Sequence, residues 1–173
     1  MFMFLSDIDI KNALRIGEIK IEPLKKDQIG QASVDLTLGD TFWFFKKKYI
    51  GAKVDLDKVD FKQATKKVKA DTLVLAPGEM CLAISAEKIT LAPDIIGSLE
   101  GRSRYARMGL AVHITSAVVQ PGSSNHQVFE IFNSAPFTVV LHKGMRISQL
   151  LFARTETPTS QPYKKHGKIA RKQ

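Results

Sequence analysis

From residue 72 onward the chain is cut by turn signals into short apolar runs, and this rhythm constrains the fold more than any other feature. The runs span residues 72–75, 80–85, 89–91, 95–100, 111–115, 118–119, 127–133, 137–141 and 148–152. Between them stand Ala76-Pro77-Gly78, Pro93-Asp94, Gln120-Pro121-Gly122 and Lys143-Gly144. Strands this short and this closely spaced predict a sandwich or barrel, not a doubly wound sheet.

The first third fits the same picture. Ser6 with Asp9 three residues later is a capping-box pattern ahead of Ile10, Ala13 and Leu14 at helical spacing, and Gly17 marks the stop. One short N-terminal helix is expected. Strand alternation follows in Ile19-Lys20-Ile21 and in residues 33–38, with Gly39-Asp40 read as a turn. Residues 42–45 and 49–50 read as a strand pair around a lysine tip, and residues 59–69 as a mobile, lysine-rich excursion. The 173 residues are expected to form a single domain, mainly β, without internal repeats.

Composition removes several classes. No run approaches the roughly 18 apolar residues of a membrane span, because Glu79, Glu87 and Lys88 break the most apolar region. The apolar start Met1-Phe2-Met3-Phe4-Leu5 lacks a basic lead-in and gives way to Asp7 and Asp9, unlike a signal peptide, so a cytoplasmic location is expected. Cys81 is alone, which rules out an intrachain disulfide or a cysteine-built metal centre, and its apolar neighbours mark it as core. With 26 Lys+Arg against 17 Asp+Glu, the net charge is +9, concentrated in Lys46-Lys47-Lys48, in Lys66, Lys67 and Lys69, and in the tail from Lys164 to Lys172. Polyanions would be attracted. The aromatics that a single-strand binder interleaves with its cations are missing, so nucleic acid is not the expected partner.

Two segments carry chemistry. Gly101-Arg102-Ser103-Arg104-Tyr105-Ala106-Arg107-Met108-Gly109 is bracketed by glycines between two strands and long enough for one or two helical turns. There a hydroxyl and guanidinium forks can cradle a phosphate chain, or the arginines can simply be solvated. Glu130 stands among Val128, Phe129, Ile131 and Phe132 in a strand that reads as apolar on both faces. Partial burial would raise its pKa toward neutrality, as suits a group that takes and gives protons; an edge-strand glutamate facing water is the alternative. His113 falls in a predicted strand as a core or ligand-orienting residue, and His126, His142 and His166 lack partners at metal-ligand spacing. The zinc-deaminase, P-loop, dinucleotide-fold and nucleophile-elbow signatures are absent from the sequence.

Taken together, 101–107, His113-Ile114-Thr115, Gln120-Pro121-Gly122, Val128-Phe129-Glu130 and Arg146-Ile147-Ser148-Gln149-Leu150 resemble the dCTP deaminase family, a branch of the trimeric dUTPase-like fold. Leu5-Ser6-Asp7-Ile8-Asp9-Ile10 is similar to its opening helix and residues 32–39 to its first sheet motif, so the resemblance runs in order along nearly the whole chain. It implies a distorted β-barrel of the β-clip kind, with a short N-terminal and one short internal helix, assembled as a homotrimer with shared nucleotide sites. It also implies zinc-independent hydrolysis of dCTP to dUTP and ammonia, with Mg2+ carried on the triphosphate. By position, Glu130 becomes the proton carrier and Ser103 the residue that positions the attacking water. Arg102, Ser103, Arg104, Tyr105, Ala106 and Arg107 become the triphosphate segment. Val128, Phe129 and Glu130 would meet base and sugar, joined by Gln120 and Gln149.

Two departures bear on substrate. Gln120 stands where the family usually has an aspartate before Pro-Gly, and an amide cannot act as a base at neutral pH, which weakens a dUTP diphosphatase or bifunctional reading. Ser123-Ser124-Asn125-His126 replaces the usual aromatic and glycine. Residues 160–173 are expected to form a flexible closing arm, with Tyr163 matching the family's tyrosine, Lys168 or Lys172 its lysine, and Gln173 its glutamine. A non-catalytic nucleotide- or nucleic-acid-binding member is the alternative from another class.

Overall fold

The computed structural model describes residues 3–166. It contains four short helices and eleven strands among the described residues: α1 (Asp7–Ile16), β1 (Ile19–Glu22), β2 (Ser33–Phe45), α2 (Phe61–Ala64), β3 (Thr65–Lys69), β4 (Thr72–Leu75), β5 (Met80–Leu91), β6 (Ile95–Gly101), α3 (Ser103–Ala106), β7 (Leu110–Val112), β8 (Val118–Val119), β9 (Ser124–Asn133), β10 (Val139–His142), β11 (Arg146–Arg154) and α4 (Tyr163–His166).

The capping box of α1 forms as the sequence predicts: Ser6 Oγ accepts from Asp9 N–H at 3.3 Å and Asp9 Oδ2 accepts from Ser6 N–H at 3.0 Å. Gly17, at φ 82°, closes the helix in the left-handed conformation that glycine adopts without steric cost. Ile10 and Ala13 face the core, and Leu5 N–H donates to Phe152 O at 2.8 Å, which ties the helix to β11.

Every strand pairing is antiparallel, and the main sheet runs β7-β9-β5-β2-β11-β6-β8, with β1 also on β5 and β3 also on β2; β4 and β10 form a separate pair. The sheet curls until its ends approach. A Cβ placed on Gly101, at the end of β6, would lie 3.5 Å from Val112 O in β7. The curl encloses the core, which includes Leu36, Phe42, Ile89, Phe129, Leu150 and Phe152. The strand rhythm predicted a sandwich or barrel, and the curled sheet is the distorted barrel that the resemblance implies.

Local readings at three places are corrected. Gly39-Asp40 is not a turn: β2 passes straight through, and its register against β5 shifts between Leu38 and Phe42. Gly39 is required there because a Cβ would come within 2.8 Å of Ile84 O, so the glycine marks a close strand approach. Residues 49–50 are not a strand, since Tyr49 ends a 3-10 turn. The excursion at 59–69 is ordered by a capping box, Asp60 with Gln63, that starts α2, and by β3, where the Lys67 ammonium sits 5.5 Å from the Trp43 ring centre.

One buried carboxylate organises the barrel. Glu87 is 1% exposed and accepts from Gln28 Nε2 at 2.8 Å, from Thr37 N–H at 2.9 Å and from the Thr37 hydroxyl. It thereby pins β5 to β2 and to the turn before it.

Candidate active site

Sequence places 22 residues between Arg107 and Glu130, but topology brings their elements to one corner. Gly101, at the mouth of α3, lies against Val112; β7 pairs with β9 through Val112 opposite Ile131; and His113 N–H donates to Glu130 O at 2.7 Å. Gly109, at φ 77°, turns the chain between α3 and β7, and a Cβ there would come within 2.8 Å of Ala135.

In β9 burial alternates: Gln127, Phe129, Ile131 and Asn133 are buried, while Val128, Glu130 and Phe132 are half-buried on the other face. The strand is therefore one-sided, contrary to the reading of two apolar faces. Phe129 fills the core, so only its main chain can meet a ligand.

The Glu130 carboxylate is wrapped by the loop after β7. Oε2 accepts from Ile114 N–H at 3.0 Å and Thr115 N–H at 2.7 Å, and Oε1 accepts from Thr115 Oγ1 at 2.7 Å. His113 makes this possible by taking φ 66°, so β7 ends at Val112 and the next two amides converge on one oxygen. Burial alone would raise the Glu130 pKa. The Thr115 hydroxyl and N–H, the nearby His113 and the Ile114 N–H outweigh it and hold the carboxyl below its ordinary value of 4.5. This corrects the expected direction. His113 Nε2 pairs with Ser116 O at 2.5 Å, whereas its Nδ1 is buried without a hydrogen-bond partner.

On the arginine segment, Ser103, Arg104, Ala106 and Arg107 are exposed, and Tyr105 packs against the core with the Arg104 guanidinium 5.7 Å from its ring. Arg102 is bound differently: one terminal nitrogen meets Asp35 Oδ2 at 3.0 Å and the other donates to Arg146 O at 2.9 Å. Gln149 is also committed within the sheet, donating from Nε2 to Gly101 O and accepting from Ser33 Oγ, each at 3.1 Å. These bonds use one of its two N–H groups and one lone pair, and they orient the amide within the sheet.

The Gln120-Pro121-Gly122 turn receives the start of the C-terminal segment. Tyr163 N–H donates to Pro121 O at 3.0 Å and Lys164 N–H to Gly122 O at 3.1 Å. Gly122, at φ 74°, lies so close that a Cβ would meet Pro162 Cβ at 2.6 Å. Gln120 is exposed and Tyr163 half-buried. Lys168, Lys172 and Gln173 lie outside the described residues.

His126 Nδ1 meets Ser85 O at 3.1 Å and His142 Nδ1 meets Thr72 Oγ1 at 3.4 Å. Among the described residues no group of three His, Cys, Asp or Glu side chains is placed to hold a metal, and no helix is long and apolar enough to cross a membrane. Cys81 is buried, with its thiol pushed up to about 12 by desolvation and by the charge of Glu79. Sequence reasoning missed Thr115, Ile114 N–H and Asp35. Thr115 and Asp35 lie inside recognisable motifs, but their partners are fixed only by tertiary contact.

A dCTP deaminase from Shewanella amazonensis is 38% identical over 94% of this chain and 89% of its own. A dUMP-forming dCTP deaminase from Methanobrevibacter smithii is 36% identical over 92% of this chain and 84% of its own. Among solved structures, a 2'-deoxycytidine 5'-triphosphate deaminase from Agrobacterium tumefaciens superposes with a TM-score of 0.68 at 22% identity. It covers 89% of this chain, which spans about half (49%) of that longer one. The model of the dCTP deaminase-like family matches residues 4–155, a span that holds the arginine segment, the carboxylate loop and the Pro-Gly turn, so the chain belongs to that family.

Proposed function

We propose that this protein is a dCTP deaminase that converts dCTP to dUTP and ammonia. The observation that carries the reading is the Glu130 carboxylate, held ionised by three donors at the corner where the arginine-bearing α3 begins. An ionised carboxylate is a base in waiting. In the proposed reaction Glu130 takes a proton from water as the hydroxide adds to C4 of cytosine, and passes that proton to N3. It then moves the hydroxyl proton to the amino nitrogen, so that ammonia leaves and the C4 carbonyl forms. Ser103 would position the water. Arg104 on α3 and Arg107 just after it, both exposed, would grip the triphosphate with Arg102, while the main chain of Val128 and Phe129 would frame the base and Gln120 the sugar.

Mg2+ needs no protein cage if it rides on phosphate oxygens, where it would neutralise charge. A homotrimer with shared sites is part of the reading. The exposed apolar side chains Met108 (56%), Ile114 (49%) and Val118 (51%) flank the arginine segment and the carboxylate loop, where a second subunit would cover them. Closure by the segment beginning at Tyr163 would exclude water.

A second reading, hydrolysis through to dUMP and pyrophosphate, is favoured by the dUMP-forming name of the Methanobrevibacter relative. Against it stands Gln120, which cannot activate water as a base. Timed incubation with dCTP, and separately with dUTP, in Mg2+ decides the matter. Ammonia and dUTP from dCTP, with dUTP left intact, support deamination alone; pyrophosphate supports the second reading; no product from either substrate refutes both.

A further inference from the structure

We propose that Asp35 is a positioning residue for nucleotide binding: its carboxylate orients the Arg102 guanidinium, and with it the entry to α3, before a nucleotide arrives. The inference rests on the reading of α3 as the polyphosphate site. Asp35 and Gln149 face each other across the β2–β11 ladder, and each holds one of two consecutive residues at the mouth of α3. Gln149 Nε2 holds Gly101 O, and Asp35 Oδ2 holds Arg102 at 3.0 Å. Arg146, whose carbonyl takes the second Arg102 contact, is itself clamped by Asp27, through the carbonyl at 2.7 Å and through Oδ2 at 2.5 Å.

Two features separate this from an incidental surface pair. The Asp35 side chain is only 17% exposed and that of Arg102 32%, so the pair is partly shielded from water. Asp35 is also a negative charge beside a site meant for polyanions, which simple attraction would exclude. Its presence is explained if orientation matters more than net charge. The two contacts use one N–H on each terminal nitrogen and leave the remaining guanidinium donors for a ligand, with the side-chain entropy already spent. Burial outweighs the opposing pull of Arg102 and Arg146 and leaves the Asp35 carboxyl above its ordinary value, so the case for the pair rests on its geometry.

The test compares wild type with Asp35→Asn and the charge-keeping Asp35→Glu. It measures calorimetric affinity for inorganic tripolyphosphate, KM and kcat for dCTP, and thermal unfolding to verify folding. Loss of one charge-assisted contact predicts that Asp35→Asn weakens tripolyphosphate binding and raises KM by about tenfold, with kcat within about twofold and Asp35→Glu in between. Unchanged affinity in folded Asp35→Asn overturns the proposal. Tighter binding overturns it too, since that is what removing a repulsive charge would do if orientation were irrelevant. Should Asp35→Asn not fold, unchanged affinity in Asp35→Glu overturns it. Wild type that binds tripolyphosphate but does not deaminate dCTP refutes the functional reading while the affinities still judge Asp35; wild type that binds no tripolyphosphate refutes the positioning role.

Discussion

Replacing Glu130 by glutamine separates chemistry from architecture, because the amide can keep nearly every contact of the carboxylate. Its carbonyl oxygen can accept from Ile114 and Thr115 N–H, now at 3.0 and 2.7 Å, and its NH2 can donate to Thr115 Oγ1 once that hydroxyl rotates from donor to acceptor. Three charge-assisted bonds become three neutral ones in a half-open site, which costs about 1–2 kcal/mol of stability. In a chain of this length that lowers Tm by a few degrees at most. Catalysis fares differently. One carboxyl is asked both to take a proton from water and to deliver protons so that ammonia can leave, and losing that relay should slow turnover by about 10^4-fold. Ammonia release measures the rate, and calorimetry with dCTP in Mg2+ measures binding, which should stay within about threefold of wild type because the site's shape persists. Deamination by Glu130→Gln within tenfold of wild type would refute the role of Glu130. Loss of dCTP binding in step with activity would refute the claim that the loop survives the change.

Three further perturbations probe the surroundings. Thr115→Val keeps the shape but removes the hydroxyl donor at 2.7 Å, so the Glu130 carboxyl rises toward its ordinary value. Wild-type kcat/KM should hold from neutrality down to about pH 5, and the variant's acid limb should begin at higher pH; superimposable profiles would count against the loop as the tuning element. The same sign governs stability: a carboxyl depressed by folding contributes above its unfolded pKa, near 4.5, and loses that contribution as pH falls through the folded value. Glu87→Ala takes the acceptor from Thr37 N–H and from one N–H of Gln28 Nε2, whose other N–H stays on Asp35 O, and should cost about 2–3 kcal/mol in denaturant unfolding; a cost below about 1 kcal/mol would mean water replaces the carboxylate. Gly122→Ala forces a Cβ toward Pro162 at φ 74°, so limited trypsin digestion at Lys164 and Lys165 should quicken and KM for dCTP should rise, with unchanged digestion the refuting result.

What the sequence disclosed depends on how far apart the interacting groups lie. The α1 box needs only Ser6 and Asp9, so its pattern points to its structure directly. Gly39-Asp40 reads as a turn because glycine serves two purposes, a reversal or a close approach, and only the neighbouring Ile84 carbonyl decides between them. The two faces of β9 could not be told apart while Val128 and Phe132 were judged by hydrophobicity alone, for both are apolar yet half-buried. Arg102 reads as a ligand residue by motif, and its partners Asp35 and Arg146 come from strands remote in sequence.

The direction of the Glu130 shift is the most informative of these differences. Burial considered alone predicts a carboxyl that is protonated near neutrality, but three donors converge on it because His113 takes a left-handed backbone conformation that no sequence pattern announces. A depressed pKa favours abstraction of a proton less than a neutral one would, yet it ensures that the base is always ready. Glu130 is depressed with Pro162 already docked on Gly122, so on the proposed mechanism the deficit is made up when the nucleotide itself arrives. Excluding water strengthens the burial effect that the donors now outweigh, so the carboxyl becomes a better base as the site closes around the reacting C4. A site that stayed open would keep Glu130 a weak base at any ligand concentration. Under this mechanism the bound nucleotide belongs to the acid–base chemistry as much as the Thr115 hydroxyl does.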